Sequence, residues 1–360
     1  MSVILTVVAR KLAVRAGLVA QPADDRYHRT VVPLGGGIAI FSTISIIILT
    51  AIAAVEFLAA PGHLDWLGQS VTVHTDGFLS KIGQLMIILL VVLVLFALGL
   101  WDDKKHLSPF FKLAVQFAVA ITAAFFADIR VELFIESKII TSLLSAVWIV
   151  LIINAFNFLD NMDGASAGIA VIASSILFAA SAISAALSGQ DFQVFIGGLA
   201  LVFIGTLLGF LVFNFPPAKI FMGDAGSLVV GFFVALLTLR TTYYYHRAQS
   251  GQGYAVFLPL LVMAVPLYDF ISVTLLRISQ GKSPFIGDTQ HFSHRLKKHG
   301  LTDTQTVLTL YLATLCTGLG AIFLYQVNLA GAILIFIQTV MVLSIVAIFE
   351  TTAQNDKAAD

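Results

Sequence analysis

The sequence predicts an all-α fold: a polytopic membrane bundle of ten full transmembrane helices preceded by a partial one at the N-terminus. Three observations lead there. The side chains are 59% hydrophobic and 11% charged, against roughly 45–50% apolar and about 25% charged in soluble domains. The apolar residues fall in long charge-free runs, most of them near or above the roughly 20 residues that cross a bilayer as a helix. The runs are continuous, whereas a membrane barrel would alternate over segments of about 10 residues. In lipid a helix also satisfies every backbone amide within its own segment. Lys plus Arg equals Asp plus Glu, 20 each, so no net field invites nucleic acid. The apolar share excludes a disordered chain. The single cysteine, Cys316, lies in an apolar run, which excludes an intramolecular disulfide and a thiolate metal cluster.

Val3 to Ala9 are apolar, but Arg10, Lys11 and Arg15 follow at once, so 1–20 reads as a partial helix. A signal peptide would set its apolar core before a cleavage site rather than before three bases. Spans follow over 30–55, 82–101, 113–127, 139–159, 164–190, 192–218, 225–239 and 248–268. The last run, 305–349, is 45 residues long and is interrupted by Gln326, Asn328 and Gly331, which predicts two helices and a tight turn. When alternate connections are assigned to alternate sides, one side holds fifteen Lys and Arg and the other five. The positive-inside bias places the richer set in the cytoplasm of a multi-pass inner-membrane protein. Its connections are about 10–30, 101–112, 155–165, 214–226 and 277–304, within one membrane domain over 1–360, and the acidic segment 56–80 lies outside.

Four clusters stand at these cytoplasmic helix ends, where charge is expensive unless it is paired or used. Asp102 and Asp103, followed by Ser108, Pro109 and Lys112, suit a divalent cation or a base whose pKa its neighbour raises. They equally suit a plain pairing with Lys104, Lys105 and Lys112 at the end of a span. Asn154, Asn157, Asp160 and Asp163 recur every three residues before Gly164, roughly along one drifting helix face. Such amides and carboxylates bond sugar or base edges and ligate hard cations. In Pro216-Pro217-Ala-Lys219-Ile-Phe221-Met222-Gly223-Asp224-Ala225-Gly226-Ser227, prolines end one helix and Asp224 opens the next. A phosphate with its metal suits that N-terminus, and a simple N-cap is the plainer reading. The fourth cluster, Gly281-Lys282-Ser283-Pro284 with Asp288, His291, His294 and Arg295, sets two histidines on one helix face for a metal or phosphate. It lacks the earlier Gly of a P-loop. An earlier basic loop, Arg26-Tyr27-His28-Arg29 before Pro33 and Gly35-Gly36-Gly37, suits phosphates or lipid headgroups.

Together these clusters resemble the polyprenyl-phosphate N-acetylhexosamine 1-phosphate transferases. The likeness covers about residues 9–300. It rests on Gly17-Leu18-Val19 with Pro22, His28, Pro33 and Gly35-Gly36, on Asp102-Asp103, on the Asn154 to Asp163 stripe, on Phe221 to Ser227, and on Gly281 to Arg295. Lys282-Ser283-Pro284 and His291-Phe-Ser-His294-Arg295 look most like the undecaprenyl-phosphate GlcNAc branch. Three features depart from the family pattern: Ala20 stands where an acid is usual, Ser293 where many members carry a histidine, and only the end of a first helix is present.

The resemblance implies a reaction. A UDP-N-acetylhexosamine and polyprenyl phosphate give a polyprenyl-diphospho-sugar and UMP, with Mg²⁺ or Mn²⁺, as the first membrane step of cell-envelope glycopolymer synthesis. It also implies roles: Asp224 for metal and donor diphosphate, Asp163 for the metal environment, Asp102 as base or orienting group with Asp103 in support, and Lys112 on a phosphate. Asn157, Asp160 and Asp163 would hold the nucleoside and the metal environment, Asn154 and His28 would add substrate contacts, and His291, a catalytic candidate, would contact the diphosphate or sugar with His294 and Arg295. A single in-line displacement is the expected chemistry. A homodimer is left open. The rival readings are the pentapeptide branch of the same family and a secondary transporter using Asp224 and Asp269 as ion sites.

Overall fold

The computed structural model describes residues 1–20, 31–63, 66, 73–131, 135–188, 193–247, 253–283, 291–298 and 300–356; for 242–247, 294, 298 and 350–356 the backbone alone is described. Helix α1 (Ser2–Arg15) leads into a two-strand hairpin, β1 (Val19–Ala20) and β2 (Val32–Pro33). There follow α2 (Gly36–Ala54), α3 (Thr75–Leu79), α4 (Ile82–Lys105), α5 (Pro109–Phe126), α6 (Lys138–Leu159), α7 (Ala165–Ser188), α8 (Val194–Asn214) and α9 (Asp224–Arg247). The chain closes with α10 (Leu258–Val262), α11 (Ala264–Ser279), α12 (Phe292–Lys298), α13 (Asp303–Phe323) and α14 (Leu329–Asp356).

Among the described residues nine helices are long and apolar enough to cross a membrane, so the chain is a polytopic helical membrane protein. Nine of the ten expected spans are these helices. The tenth, placed over 248–268, is instead a bent pair: the segment Tyr254–Val262 meets Ala264–Ser279 at 70°. Pro266 explains the break, because it offers no N–H to the Val262 carbonyl and its ring crowds that turn. The long last run divides as expected, with Asn328 Oδ1 accepting from the Gly331 amide where α14 begins.

Helix α9 is the axis of the bundle. Its spanning stretch is 94% buried, against 17% for α14, as suits a sequence apolar on every side. It packs against α6, α4, α2 and α7, and glycines set the closest approaches. A Cβ on Gly99 of α4 would stand 2.4 Å from the Asp224 backbone, one on Gly37 of α2 2.5 Å from the Gly226 amide, and one on Gly231 of α9 2.6 Å from Ile153 of α6. Small residues let membrane helices come this near. The segment before α2 is zipped to the loop before α9: Phe221 donates to the Pro33 carbonyl, and the Gly36 and Gly37 amides donate to Phe221 and Met222, each at 2.9 Å. The glycine run at 35–37 thus receives the segment 221–226, and the basic loop read for phosphates, Arg26 to Arg29, lies outside the described residues.

Filling the α2–α9 contact tests this close packing. Gly37→Ala should lower the unfolding temperature in detergent by several degrees, in line with an overpacking cost of about 1–3 kcal/mol. Gly205→Ala, whose Cβ meets nothing within 4 Å, should leave it unchanged or slightly raised.

Candidate active site

The last turn of α4 presents Asp102 and Asp103. Ser108 caps α5, with Pro109 at its first position, and the tight return brings Lys112 back over Asp102. Asp102 Oδ1 accepts from the Leu107 amide at 2.6 Å and Oδ2 from Lys112 Nζ at 2.6 Å. The same ammonium lies 2.5 Å from Asp224 Oδ2, so one lysine bridges two acids. Asn157 Nδ2, near the end of α6, donates to Asp224 Oδ1 at 3.0 Å and to Ser227 Oγ at 2.9 Å. Asp103 accepts from the amides of Asp224 and Ala225 at 2.9 and 3.2 Å, an anion on the N-terminus of the central helix. Gly223 has φ +69°, and a Cβ there would stand 2.7 Å from Asp103 Oδ2. Glycine alone suits both constraints.

The expected stripe divides. Asn157 meets Asp224, but Asn154 turns to α5, donating to Gln116 Oε1 at 2.7 Å. A three-residue step drifts by about 60° around a helix, so the amides soon part. Helix α6 ends at Leu159, and Asp160 and Asp163 lie on the turn beyond it. Asp160 keeps some exposed surface, yet desolvation and the nearby carboxylates of Asp224, Asp103 and Asp163 hold its pKa well above the usual range. Asp163 Oδ2 accepts from the Ala218 amide at 2.8 Å, tying this turn to the loop before α9. Asn214 adds a second tie, accepting from the Gly164 amide at 3.1 Å and donating to the Ile220 carbonyl at 3.0 Å. Among the described residues no three His, Cys, Asp or Glu side chains converge closely enough to hold a metal by themselves.

A second group lies beside the first. His291 Nδ1 is 3.0 Å from Asp269 Oδ2, and Asp269 Oδ1 accepts from the Phe292 amide at 2.6 Å. Asp269 is 1% exposed. Phe158, next to Asn157, stands edge-on to the His291 ring at 5.5 Å and carries the Arg277 guanidinium 4.9 Å above its face, so one aromatic ring adjoins both groups. Arg295 is buried and donates to Ser272 Oγ at 2.9 Å. Ser293, which stands where many family members carry a histidine, is buried and donates to Asn161 Oδ1 at 2.5 Å. His294 lies on α12 with its side chain outside the described residues, as are His28, Pro284 and Asp288.

Sequence reasoning named Asp102, Asp103, Lys112, Asn157, Asp160, Asp163, Asp224 and His291, and the structure gathers them at one set of helix ends. It missed Ser227, Asn161, Asn214, Gln116 and Ser272 as partners. Asp269 enters the sequence reading as an ion site of the transporter alternative. A buried acid in an apolar span calls for a partner, and here His291 supplies it.

The fold and site define a multi-pass membrane protein with an acid-rich centre at the ends of its buried helices. Residues 85–242, which hold Asp102, Asp103, Lys112, Asn157 and Asp224, match the sequence model of glycosyl transferase family 4. A probable undecaprenyl-phosphate N-acetylglucosaminyl 1-phosphate transferase of Bacillus subtilis is 31% identical over 352 residues, 96% of this chain and 87% of that protein. The decaprenyl-phosphate N-acetylglucosaminephosphotransferase of Mycobacterium tuberculosis (strain ATCC 25618 / H37Rv) is 30% identical over 84% of this chain and 74% of its own length. The undecaprenyl-phosphate alpha-N-acetylglucosaminyl 1-phosphate transferase of Escherichia coli O157:H7 is 28% identical over 88% and 80%. The chain belongs to glycosyl transferase family 4.

Removing the shared cation tests the electrostatics. Lys112→Met leaves Asp102 and Asp224 facing each other with no charge between them, a loss of about 3 kcal/mol for a mostly buried arrangement. The unfolding temperature should fall, and added Mg²⁺ should raise it more in the variant than in wild type.

Proposed function

We propose that the protein transfers N-acetylhexosamine 1-phosphate, GlcNAc-1-phosphate first among the candidates, from a UDP-sugar to polyprenyl phosphate with release of UMP. The observation that carries this reading is the Asp102–Lys112–Asp224 bridge at the helix ends, in a chain whose relatives are named for that transfer. The acceptor is a phosphate on a lipid and stays at the membrane plane, while the donor arrives from water. A site at helix ends is where the two meet. The excess of basic residues on its connections supports a cytoplasmic orientation of this face in the inner membrane.

The donor set fits Mg²⁺ or Mn²⁺. Asp103, Asp160, Asp163 and Asp224 interact electrostatically, and carboxylate oxygens are the ligands that hard cations prefer. Mg²⁺ takes one or two carboxylates and completes its shell with water and substrate phosphates, so a three-ligand protein cage is not required. Asp224 would hold the cation, with Asp163 beside it, and the cation supplies charge neutralisation for the donor diphosphate. An acceptor phosphate oxygen bonds to the sugar-bearing phosphorus as the bridging P–O bond to UMP breaks. The acceptor, with a second pKa near 6 like other phosphomonoesters, is mostly ionised near neutrality, so alignment matters more than a strong base. Both oxygens of Asp102 are engaged, which supports an orienting role: Asp102 fixes Lys112, and Lys112 meets a phosphate. Asn157 holds Asp224 in place, Asp103 fixes the start of α9, and His291, set by Asp269, would contact the donor diphosphate or sugar.

The test is UMP release from UDP-GlcNAc by purified protein with undecaprenyl phosphate and Mg²⁺. Release should require lipid and metal, stop in EDTA, and fall by roughly a hundredfold or more in Asp224→Asn, with the variant still inserted and folded. Wild-type rates in Asp224→Asn at saturating metal would overturn the assignment of Asp224. Silence with UDP-GlcNAc but release with UDP-MurNAc-pentapeptide would move the substrate to the other branch.

A further inference from the structure

At the opposite end of the bundle a cavity of about 630 Å³ opens between α2, α4, α8 and the far end of α9. Leu85 lies 17 residues before Asp102 on α4, and Arg240 16 residues after Asp224 on α9, so the cavity stands about 25 Å from the site, near the other membrane surface. Its volume is in the range that holds small ligands. The deep wall is apolar, made by Ile47, Ile48, Ala51, Leu85, Leu199 and Val202, and Gly198 leaves room between them. Among the described lining residues Lys81, His74 and the buried Arg240 are basic and Asp128 is the one acid. Asp128 is already engaged, its carboxylate 2.7 Å from Arg130 Nε and its carbonyl 3.2 Å from Arg240 Nη1. Lys81 is half-buried, and among the described residues its ammonium has neither an ion pair nor a hydrogen bond.

We infer that this cavity is a binding site for an anionic phospholipid of the leaflet opposite the proposed active site. The apolar wall takes the upper part of the acyl chains, which continue into the bilayer, and Lys81 with Arg240 meets the headgroup phosphate. Charge complementarity selects an anionic head, and the apolar wall selects a lipid over a free anion. A bound headgroup holds the far end of α9, whose near end carries Asp224. The inference does not depend on the transferase reading.

The test uses purified, delipidated full-length protein in detergent, titrated with phosphatidylglycerol or phosphatidylethanolamine and read by native mass spectrometry and by the unfolding temperature, without donor. Phosphatidylglycerol should bind with a preference of roughly tenfold, as one or two basic side chains near an anionic head provide, and should stabilise the protein. Lys81→Gln should remove the preference. Gly198→Leu, whose Cβ meets nothing within 4 Å, should fill the cavity and remove binding, with elution as in wild type. Equal binding of the two lipids, or phosphatidylglycerol binding unchanged in both variants, would overturn the site. Equal stabilisation by inorganic phosphate, or displacement of phosphatidylglycerol by undecaprenyl phosphate, would overturn the choice of ligand.

Discussion

One ammonium group organises the centre of this molecule. Lys112 lies within hydrogen-bond reach of Asp102 and Asp224, and in a mostly buried setting an acid deprived of its cation is costly. The pairing fixes three helices at once, because Asp102 closes α4, Lys112 opens α5 and Asp224 opens α9. Asp103 completes the arrangement by capping α9 through two amides. Close packing then follows along α9, where glycines admit α2, α4 and α6 at backbone distance. The polar centre and the apolar axis are therefore one construction.

Among the described residues the same construction leaves the acids of this centre in excess of the bases. Asp103, Asp160, Asp163 and Asp224 share one neighbourhood, and Lys112 joins Asp224 to Asp102. Such a surplus is poorly suited to binding two phosphorylated substrates unless a cation accompanies them, which is the physical case for a metal-assisted reaction here. The His291 group complements it from the side: Asp269 sets the imidazole and starts α12, and Phe158 ties that group to the end of α6.

Much of this was legible in the sequence because lipid leaves few options. Nine of the spans follow from run length alone, and the turn at 326–331 from three polar or small residues. The convergence of the loops follows from basic residues on alternate connections. What stayed hidden depended on geometry beyond periodicity. Pro266 broke a run that composition presented as continuous, and the drift of a three-residue spacing separated Asn154 from Asn157. The glycines at 35–37 carry no sign in the sequence of what they pack against, and the hydrogen bonds to Phe221 and Met222 show it. The hairpin of Val19–Ala20 with Val32–Pro33 is too short to leave a pattern. Asp269 was conspicuous as a buried acid, but the loop that brings His291 to it carries no sequence signal of where it lands.

The most direct measurement of the central claim, that the centre around Asp224 holds the metal-bound donor, is electron paramagnetic resonance of Mn²⁺ with purified protein and UDP-GlcNAc. The wild type should immobilise one Mn²⁺ per chain in a donor-dependent manner, and Asp224→Asn should leave it free in solution. An unchanged bound signal in Asp224→Asn would place the metal and its donor elsewhere and contradict the assignment.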